Sequence, residues 1–511
     1  MESEFSYDKV AYPAFTFPLT HPDHLAVMGI LNGLDPIDPR HCRVLELGCG
    51  SGANLLSFAY TLPDSRFLGI DLSQNHIADA KKAAAELNHT NLEFLQQDLL
   101  EFDSEKFGRF DFIIAHGLFS WVPDHVRDKM LDIYAKSLNH NGIGYLSYNV
   151  FPGCHLREIV QEAMQYHVAG VTDLREKAEQ AMAFLSFLEK GSVPNSLHHA
   201  ILKHELDLIS DKPSETLIHD DLSEVNRPFY FHQMASRFYQ HGLQYLSDSD
   251  PSKTIIAALP VEAREFIDHL GNDIIKHEQY FDFITGCRFR RSLVCGAEAR
   301  INRSPSPEKV MRHFQIASKS KHEPMAGNGK ESSGHRFTGP NGSMDVHHQM
   351  TTNVLTHLGS LGAKALSFDN LIAAVGGTAG SEADLRETAE NLRNMFRAGF
   401  VKLYVHQTPF SSAAGETPHA SDFARWQLRG GGTEITTLIG ESMKVADDFL
   451  VKLIIALDGT RDSIELAREM TKRVEVEKRQ RASFKQVLPA MITGAMTKLT
   501  EVGLLLPESS A

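Results

Sequence analysis

From Arg43 to Ser147 the chain alternates short aliphatic or β-branched runs with longer amphipathic ones, a rhythm that predicts a parallel sheet wound by helical crossovers. Five strands are expected, at Arg43 to Leu47, Arg66 to Asp71, Leu92 to Gln97, Phe110 to His116 and Gly142 to Tyr148. Helices are expected between them at Ala53 to Thr61, at Ser73 to Leu87 with Ser73 as N-cap, and at Asp124 to Leu138. In the last of these, Val126, Met130, Tyr134 and Leu138 recur every four residues and give one apolar stripe for the sheet. Beyond about residue 165 the alternation stops, and helical patterns run to about residue 300, including Thr172 to Lys190 and the segment from Phe281 to Cys295. Ser318 to Gly342 is rich in Gly, Ser, Lys and Pro and reads as a flexible linker. After it Ser381 caps a helix whose Leu385, Leu392 and Phe396 share a face, and Gly399 leads into an alternating strand from Phe400 to Val405, a pattern consistent with a winged-helix-like fold. The expected architecture is therefore an α/β, doubly wound Rossmann-like sheet over residues 1–165, a helical unit over 166–317, a linker over 318–345 and a winged-helix-like region over 346–511.

A chain of 511 residues exceeds what one core usually organises, which fits this division. Its 42% hydrophobic and 23% charged residues exclude a disordered chain, and the net charge of -14 argues against a nucleic-acid surface. Even the most basic stretch, Arg461 to Lys485, sets five acids against eight Lys or Arg and reads as a solvated helix face. Cys42, Cys49, Cys154, Cys287 and Cys295 are odd in number and contain no C-x-x-C pair, so neither a disulfide framework nor a zinc ribbon is expected, and a reducing, cytoplasmic setting is. His198-His199 and His347-His348 lack the i,i+4 spacing of a helical metal pair, and no metal is expected. The N-terminus is acidic without a signal-like apolar run, and no stretch approaches the ~20 apolar residues of a membrane span, so no membrane insertion is expected.

Chemistry concentrates in Val44-Leu45-Glu46-Leu47-Gly48-Cys49-Gly50-Ser51-Gly52, a strand running into a glycine turn over which a ligand can approach the backbone. Gly48, Gly50 and Ala53 also satisfy the G-x-G-x-x-A form of the dinucleotide fingerprint, so a nicotinamide enzyme has to be weighed. Asp71, ending the second strand, suits ribose hydroxyls in either case. Glu46 separates the two. A carboxylate just before the glycines repels a pyrophosphate and suits the ammonium of a methionyl group. Asp98, with Leu99 beside it and Leu72 after Asp71, is placed to hold an adenine. The set favours S-adenosyl-L-methionine.

Glu46, Gly48, Gly50 and Gly52 match E-x-G-x-G-x-G, and at this motif the sequence resembles the class I S-adenosylmethionine methyltransferases. Ser6-Tyr7-Asp8, Tyr12-Pro13, Thr20-His21-Pro22-Asp23, His116-Gly117-Leu118-Phe119-Ser120-Trp121-Val122-Pro123 and Ser147-Tyr148-Asn149-Val150-Phe151-Pro152-Gly153 narrow the resemblance to bacterial enzymes with a methyltransferase regulatory domain, a group that includes rickettsial protein-lysine methyltransferases. Pro228-Phe-Tyr-Phe-His232, His241-Gly-Leu-Gln-Tyr-Leu246 and Phe281 to Cys295 look like the regulatory domain, and Ala424-Arg425-Trp426-Gln427 and Leu457 to Asp462 like the C-terminal region of the same group. Where such proteins often carry Trp after Pro-Gly, this chain has Cys154.

The resemblance implies methyl transfer, with a protein side chain such as lysine as acceptor; a small-molecule acceptor, or a cofactor-binding regulator without turnover, is the alternative. A protein partner is implied and a homodimer is compatible with it. The cofactor's sulfonium is already an electrophile, so the protein has chiefly to position the acceptor and exclude water. Cofactor-site candidates are Glu46, Gly48, Gly50, Gly52, Asp71, Leu72, Asp98, Leu99 and His116. Phe119, Trp121 and Phe151 are expected to line the acceptor side, with anchoring of the helical unit against the sheet as the alternative for Trp121 and Phe151. His116, Tyr148 and Asn149 are the candidates for proton handling and orientation, with a structural hydrogen bond to a loop as the alternative for His116, and the N-terminal segment with Tyr7, Tyr12 and His21 can serve as a lid or merely cover the edge of the sheet.

Overall fold

The computed structural model describes residues 15–223, 225–254, 258–324, 334–339, 342–376, 381–474 and 481–507. The alternation of aliphatic runs and helices resolves into one sheet of seven strands, β1 (Arg43–Leu47), β2 (Arg66–Asp71), β3 (Leu92–Gln96), β4 (Phe110–Ala115), β5 (Leu138–Asn149), β6 (Leu243–Asp248) and β7 (Phe289–Gly296). Their spatial order is β3-β2-β1-β4-β5-β7-β6. The first five strands are parallel, with Arg43 opposite Arg66 and Val44 opposite Phe112. The winding reverses between β1 and β4, which puts the crevice for a ligand at the carboxyl ends of those two strands. β7 runs antiparallel to both β5 and β6, unlike the all-parallel order of dinucleotide-binding sheets.

Successive strand residues face opposite layers. Val44, Phe112, Ile114, Ile143 and Tyr145 pack with Leu25 and Val27 of the helix Pro22–Leu31 and with Leu55 and Phe58 of Ala53–Thr61. Leu45, Leu47, Ile113 and Leu146 pack with Met130 and Tyr134 of Asp124–Ser137. Each fully buried side chain of this size contributes about 1.5–3 kcal/mol. Glu46 shares the Val44 layer by this alternation, so a carboxyl is forced among apolar neighbours.

Two expectations need correction. The region over 166–317 is not wholly helical, because it supplies β6 and β7 to the sheet; the helix Ile274–Thr285 ends at Gly286 with φ +64, and Phe289–Gly296 continues as a strand. Leu293, Val294 and Cys295 are buried there on consecutive positions, covered on both faces, so no alternation marks the strand. The helices Cys154–His167, Leu174–Gly191, Leu197–Ile209 and Phe231–Gln240 form the connection from β5 to β6. The stretch read as a flexible linker is the second correction. Its described residues form an antiparallel three-stranded sheet, Lys321–Pro324, His335–Gly339 and Gly342–Val346, anchored by buried Phe337 and Val346.

Ser381 caps Glu382–Arg397 through a capping box with Asp384, and Leu392 and Phe396 are buried as their spacing implies. The strand after Gly399 is Lys402–Tyr404, which pairs with Gln315–Ala317. The last unit joins the helices Asp422–Arg429, Asp448–Ala456, Ser463–Arg473 and Arg481–Glu501 to a hairpin of Glu434–Thr436 and Ser442–Lys444. It docks on the back of the sheet domain, where Trp426 Nε1 donates to Glu86 at 2.8 Å and the Asp422 amide donates to Tyr60 Oη at 2.9 Å. No helix among the described residues is long and apolar enough to cross a membrane.

Candidate active site

β1 ends in a turn whose amides at Gly48 and Cys49 both donate to Ile70 O of β2. The glycines in it do different work. A Cβ on Gly52, at φ +77, would lie 2.3 Å from Phe94 Cζ, so this position lets the helix Ala53–Thr61 sit against β3. Gly50, at φ +53, faces open space within 4 Å, the room a ligand needs. The Gly50 amide donates to Asp71 Oδ2 at 2.8 Å, and the Ser73 amide donates to Asp71 Oδ1 at 2.9 Å. The carboxylate is thereby aimed along the turn, with lone pairs left for further donors. Leu72 beside it is 49% exposed, an apolar surface at the rim of the crevice. Asp98 caps Leu99–Glu101 by accepting from the Leu100 amide at 2.9 Å, and Leu99 packs against the core below.

Glu46 is 4% exposed, and its Oε1 accepts from Asn54 Nδ2 at 2.8 Å. Its Oε2 is buried and without a hydrogen-bond partner. Burial pushes its pKa up to about 8 against a partial offset from Asn54. An orphaned carboxylate oxygen beneath an open glycine turn fits a cationic ligand group. Asn54 was not foreseen from the sequence, although a polar residue in the first turn of a buried helix is a signal. It donates also to Thr20 Oγ1 at 2.9 Å and accepts from the Phe17 amide at 3.0 Å. Phe17, also unforeseen, stacks on His116 with centroids 3.7 Å apart, which sets the segment before Pro22–Leu31 against the residue that follows β4. Tyr7 and Tyr12 of the expected lid lie outside the described residues, and His21 instead caps Pro22–Leu31.

On the acceptor side the candidates separate. Phe119 is fully buried and packs with Phe229 and Tyr148 at 5.8 and 6.3 Å, so it belongs to the core and lines nothing. Tyr148 is 1% exposed and its hydroxyl is paired with Ser292 Oγ at 2.8 Å, which ties it to β7. Burial raises its pKa, so it is no proton donor. His116 Nδ1 meets Tyr145 Oη at 2.8 Å, and burial lowers its pKa to about 3, so the ring is neutral near pH 7 and is a poor base. Asn149 sits at the end of β5 with its Nδ2 donating to Asn226 Oδ1 at 2.8 Å. Trp121 and Phe151 are partly exposed; the Arg157 guanidinium lies 5.7 Å from the Trp121 ring, and His155 stacks on Phe151 at 4.0 Å. The segment closing the helical connection is stitched along this edge, since the amides of Arg227 and Phe229 donate to Ser120 O and Asn149 O. Cys154 is buried and donates to Arg288 O at 3.2 Å, its pKa raised by burial to about 11. Among the described residues no group of three or more His, Cys, Asp or Glu could hold a metal ion.

Comparison with known proteins covers the same elements. Residues 38–209 match the family described as Methyltransferase domain, 213–296 the predicted methyltransferase regulatory domain, and 416–499 the PKMT C-terminal winged helix domain. Two uncharacterized proteins of Rickettsia prowazekii are 36% and 37% identical to this chain, over 60% and 46% of its length. The aligned residues span 55% of the first relative and 94% of the second. The structure of PKMT2 from Rickettsia typhi in complex with AdoHcy superposes with a TM-score of 0.84 at 26% identity, covering 97% of this chain and all of that one. With the sheet order, the glycine turn and these matches together, the chain belongs to the class I S-adenosylmethionine-dependent methyltransferases that carry a methyltransferase regulatory domain.

Proposed function

We propose that the protein methylates a protein side chain, with lysine as the acceptor. The observation that carries this is likeness over nearly the whole chain to PKMT2, including the regulatory and winged-helix parts, and not merely over the cofactor domain. In this reading Glu46 Oε2 would hold the ammonium of S-adenosylmethionine, with Gly50 leaving the open space at the turn and Gly48 and Gly52 fixing the turn's shape. Asp71 accepts from the ribose hydroxyls, and Leu72, Asp98 and Leu99 hold the adenine. His116, stacked on Phe17, would border the cofactor site. The bound cofactor supplies an electrophilic methyl group.

The residues of the chain have to deliver a neutral amine to that methyl. At pH 7.4 only about one lysine in a thousand is uncharged, given a reference pKa of ~10.4. Trp121 and Phe151 supply an apolar, π-rich surface at the carboxyl edge of the sheet. It lowers the amine pKa by desolvation and favours the cation formed on methylation. Arg157, 5.7 Å from the Trp121 ring and ion-paired with Asp221 at 2.8 Å, holds that ring in place. Asn149, held by Asn226, orients the amine through its side-chain amide. The proton leaves to solvent before attack, and His116 remains neutral throughout.

The test is transfer of labelled methyl from S-adenosylmethionine into a cell lysate split into protein and small-molecule fractions. Label on protein, recovered as methyl-lysine after hydrolysis, is expected. Label only in small molecules would discard the protein acceptor, and no label in either would favour a regulator without turnover.

A further inference from the structure

A file of aromatic rings leaves the acceptor edge and crosses the regulatory region. Phe151, just after β5, lies 5.3 Å from Tyr230; Tyr230 lies 5.8 Å from Phe283; Phe283 lies 6.0 Å from Tyr280; and Tyr280 lies 5.0 Å from Phe266. His155 and His232 also contact Tyr230, at 6.3 and 5.7 Å, so the file begins as a cluster beside Phe151 and narrows to Phe283, Tyr280 and Phe266. Phe266, Tyr280 and Phe283 are 48%, 36% and 47% exposed. Three large half-exposed rings in sequence, on the helices Val261–Asp268 and Ile274–Thr285, form a patch of the kind that marks an interaction surface. Nothing in the cofactor site or the core accounts for them.

We propose that this ring file is the docking track for an extended segment of the acceptor polypeptide, running outward from the lysine that enters at Phe151. The inference rests on the protein-acceptor reading and names where that acceptor binds. Three features select an extended polypeptide as the occupant. The track is continuous with the acceptor edge through Phe151 and Tyr230. The rings succeed one another at 5.0–6.0 Å, in contact with their neighbours, and so lay out a continuous apolar strip that an extended segment can follow. The flanks are acidic, Glu262, Glu265, Asp268 and Asp273 standing against Arg264 and Lys276, which suits a lysine-bearing segment.

The test uses full-length protein and, as probe, a reduced and alkylated lysine-rich polypeptide that cannot refold. Wild type is compared with the double variant Phe266→Ala/Phe283→Ala and with Tyr239→Ala, which removes a ring 78% exposed but off the track. Expected for the double variant is a KM for the probe raised about tenfold or more, with kcat, cofactor affinity and melting temperature near wild type and Tyr239→Ala unchanged. Retention of the wild-type KM would overturn the track while leaving lysine methylation standing. A change of oligomeric state in sedimentation, without a KM effect, would reassign the patch to contact between copies. If the double variant melts early, Phe283→Leu, which keeps apolar volume and removes the ring, replaces it with the same criterion. Absence of any methyl transfer to the probe by wild type, with none to lysate protein, would remove the acceptor reading and the track with it; transfer to lysate protein but not to the probe would overturn the track alone.

Discussion

Glu46→Gln separates the electrostatic role of the buried carboxyl from its shape. Glutamine keeps the oxygen that accepts from Asn54 and removes the charge. With the wild-type pKa raised to about 8, roughly one molecule in ten carries an ionised Glu46 at pH 7 when the cofactor is absent. A ligand ammonium needs the ionised form, so binding releases a proton below pH 8. The dissociation constant for S-adenosylmethionine should therefore fall about tenfold per pH unit from pH 6 towards 8 and stop falling there, where the ligand's own α-amine, with a reference pKa of about 8, begins to lose the proton the site requires. Glu46→Gln should lose that slope and, at pH 8, bind about 10- to 150-fold more weakly, the equivalent of about 1.5–3 kcal/mol for a charge-assisted hydrogen bond. The stability of the cofactor-free protein moves the other way. A carboxyl whose pKa is raised on folding contributes stability that is fully present below its ordinary value of 4.5, declines above it and is lost as pH passes about 8. The variant should thus be the more stable protein at pH 9, by up to about 4–5 kcal/mol in the limit of complete burial. Calorimetric titration at pH 6, 7 and 8 in buffers of differing ionisation enthalpy counts the protons, and thermal melts give the stability. Affinity without pH dependence in wild type, or unchanged affinity in the variant, would refute the assignment of Glu46 to the ammonium.

Gly52→Ala forces a Cβ against Phe94 at a left-handed φ and should destabilise by about 2–4 kcal/mol in a melt, whereas Gly50→Ala meets only the backbone strain of about 1–2 kcal/mol yet should weaken cofactor binding at least tenfold; the reverse ranking would sink the division of labour. Trp121→Ala should lower turnover with cofactor affinity and melting temperature little changed, and an early melt with normal turnover per folded molecule would place Trp121 in the packing alone. Tyr148→Phe should lose about 1–2 kcal/mol of stability through the Ser292 pair and leave turnover per folded molecule intact; a large loss of kcat would return Tyr148 to the chemistry.

The first five strands and their helices were legible because each strand is bounded by turn residues and each helix carries a cap or a stripe. Ser73, for example, accepts from the His76 amide as its position implied. β6 and β7 were not, because they stand alone among helices and β7 is buried on both faces. The sheet from Lys321 to Val346 was hidden by its Gly, Ser and Lys content, among which Phe337, Met344 and Val346 are sparse apolar signals. In the site, the motif residues Glu46, Gly50 and Asp71 come together around one turn, since strand order and glycine geometry leave little freedom. Phe119 and Tyr148 were misread for the opposite reason. Position after a strand end tells which edge a ring occupies but not whether it turns into the core, and Phe229 and Ser292, remote in sequence, decide that. Asn54 and Phe17 were missed because their importance lies in contacts with Glu46 and His116.

The placement of the cofactor on Glu46 is tested most directly by a crystal structure of this protein soaked with S-adenosylhomocysteine. The account predicts the ligand ammonium within about 2.7–3.1 Å of Glu46 Oε2 and the ribose hydroxyls on Asp71. A ligand bound elsewhere, or one whose ammonium leaves Glu46 Oε2 unpaired, would contradict it.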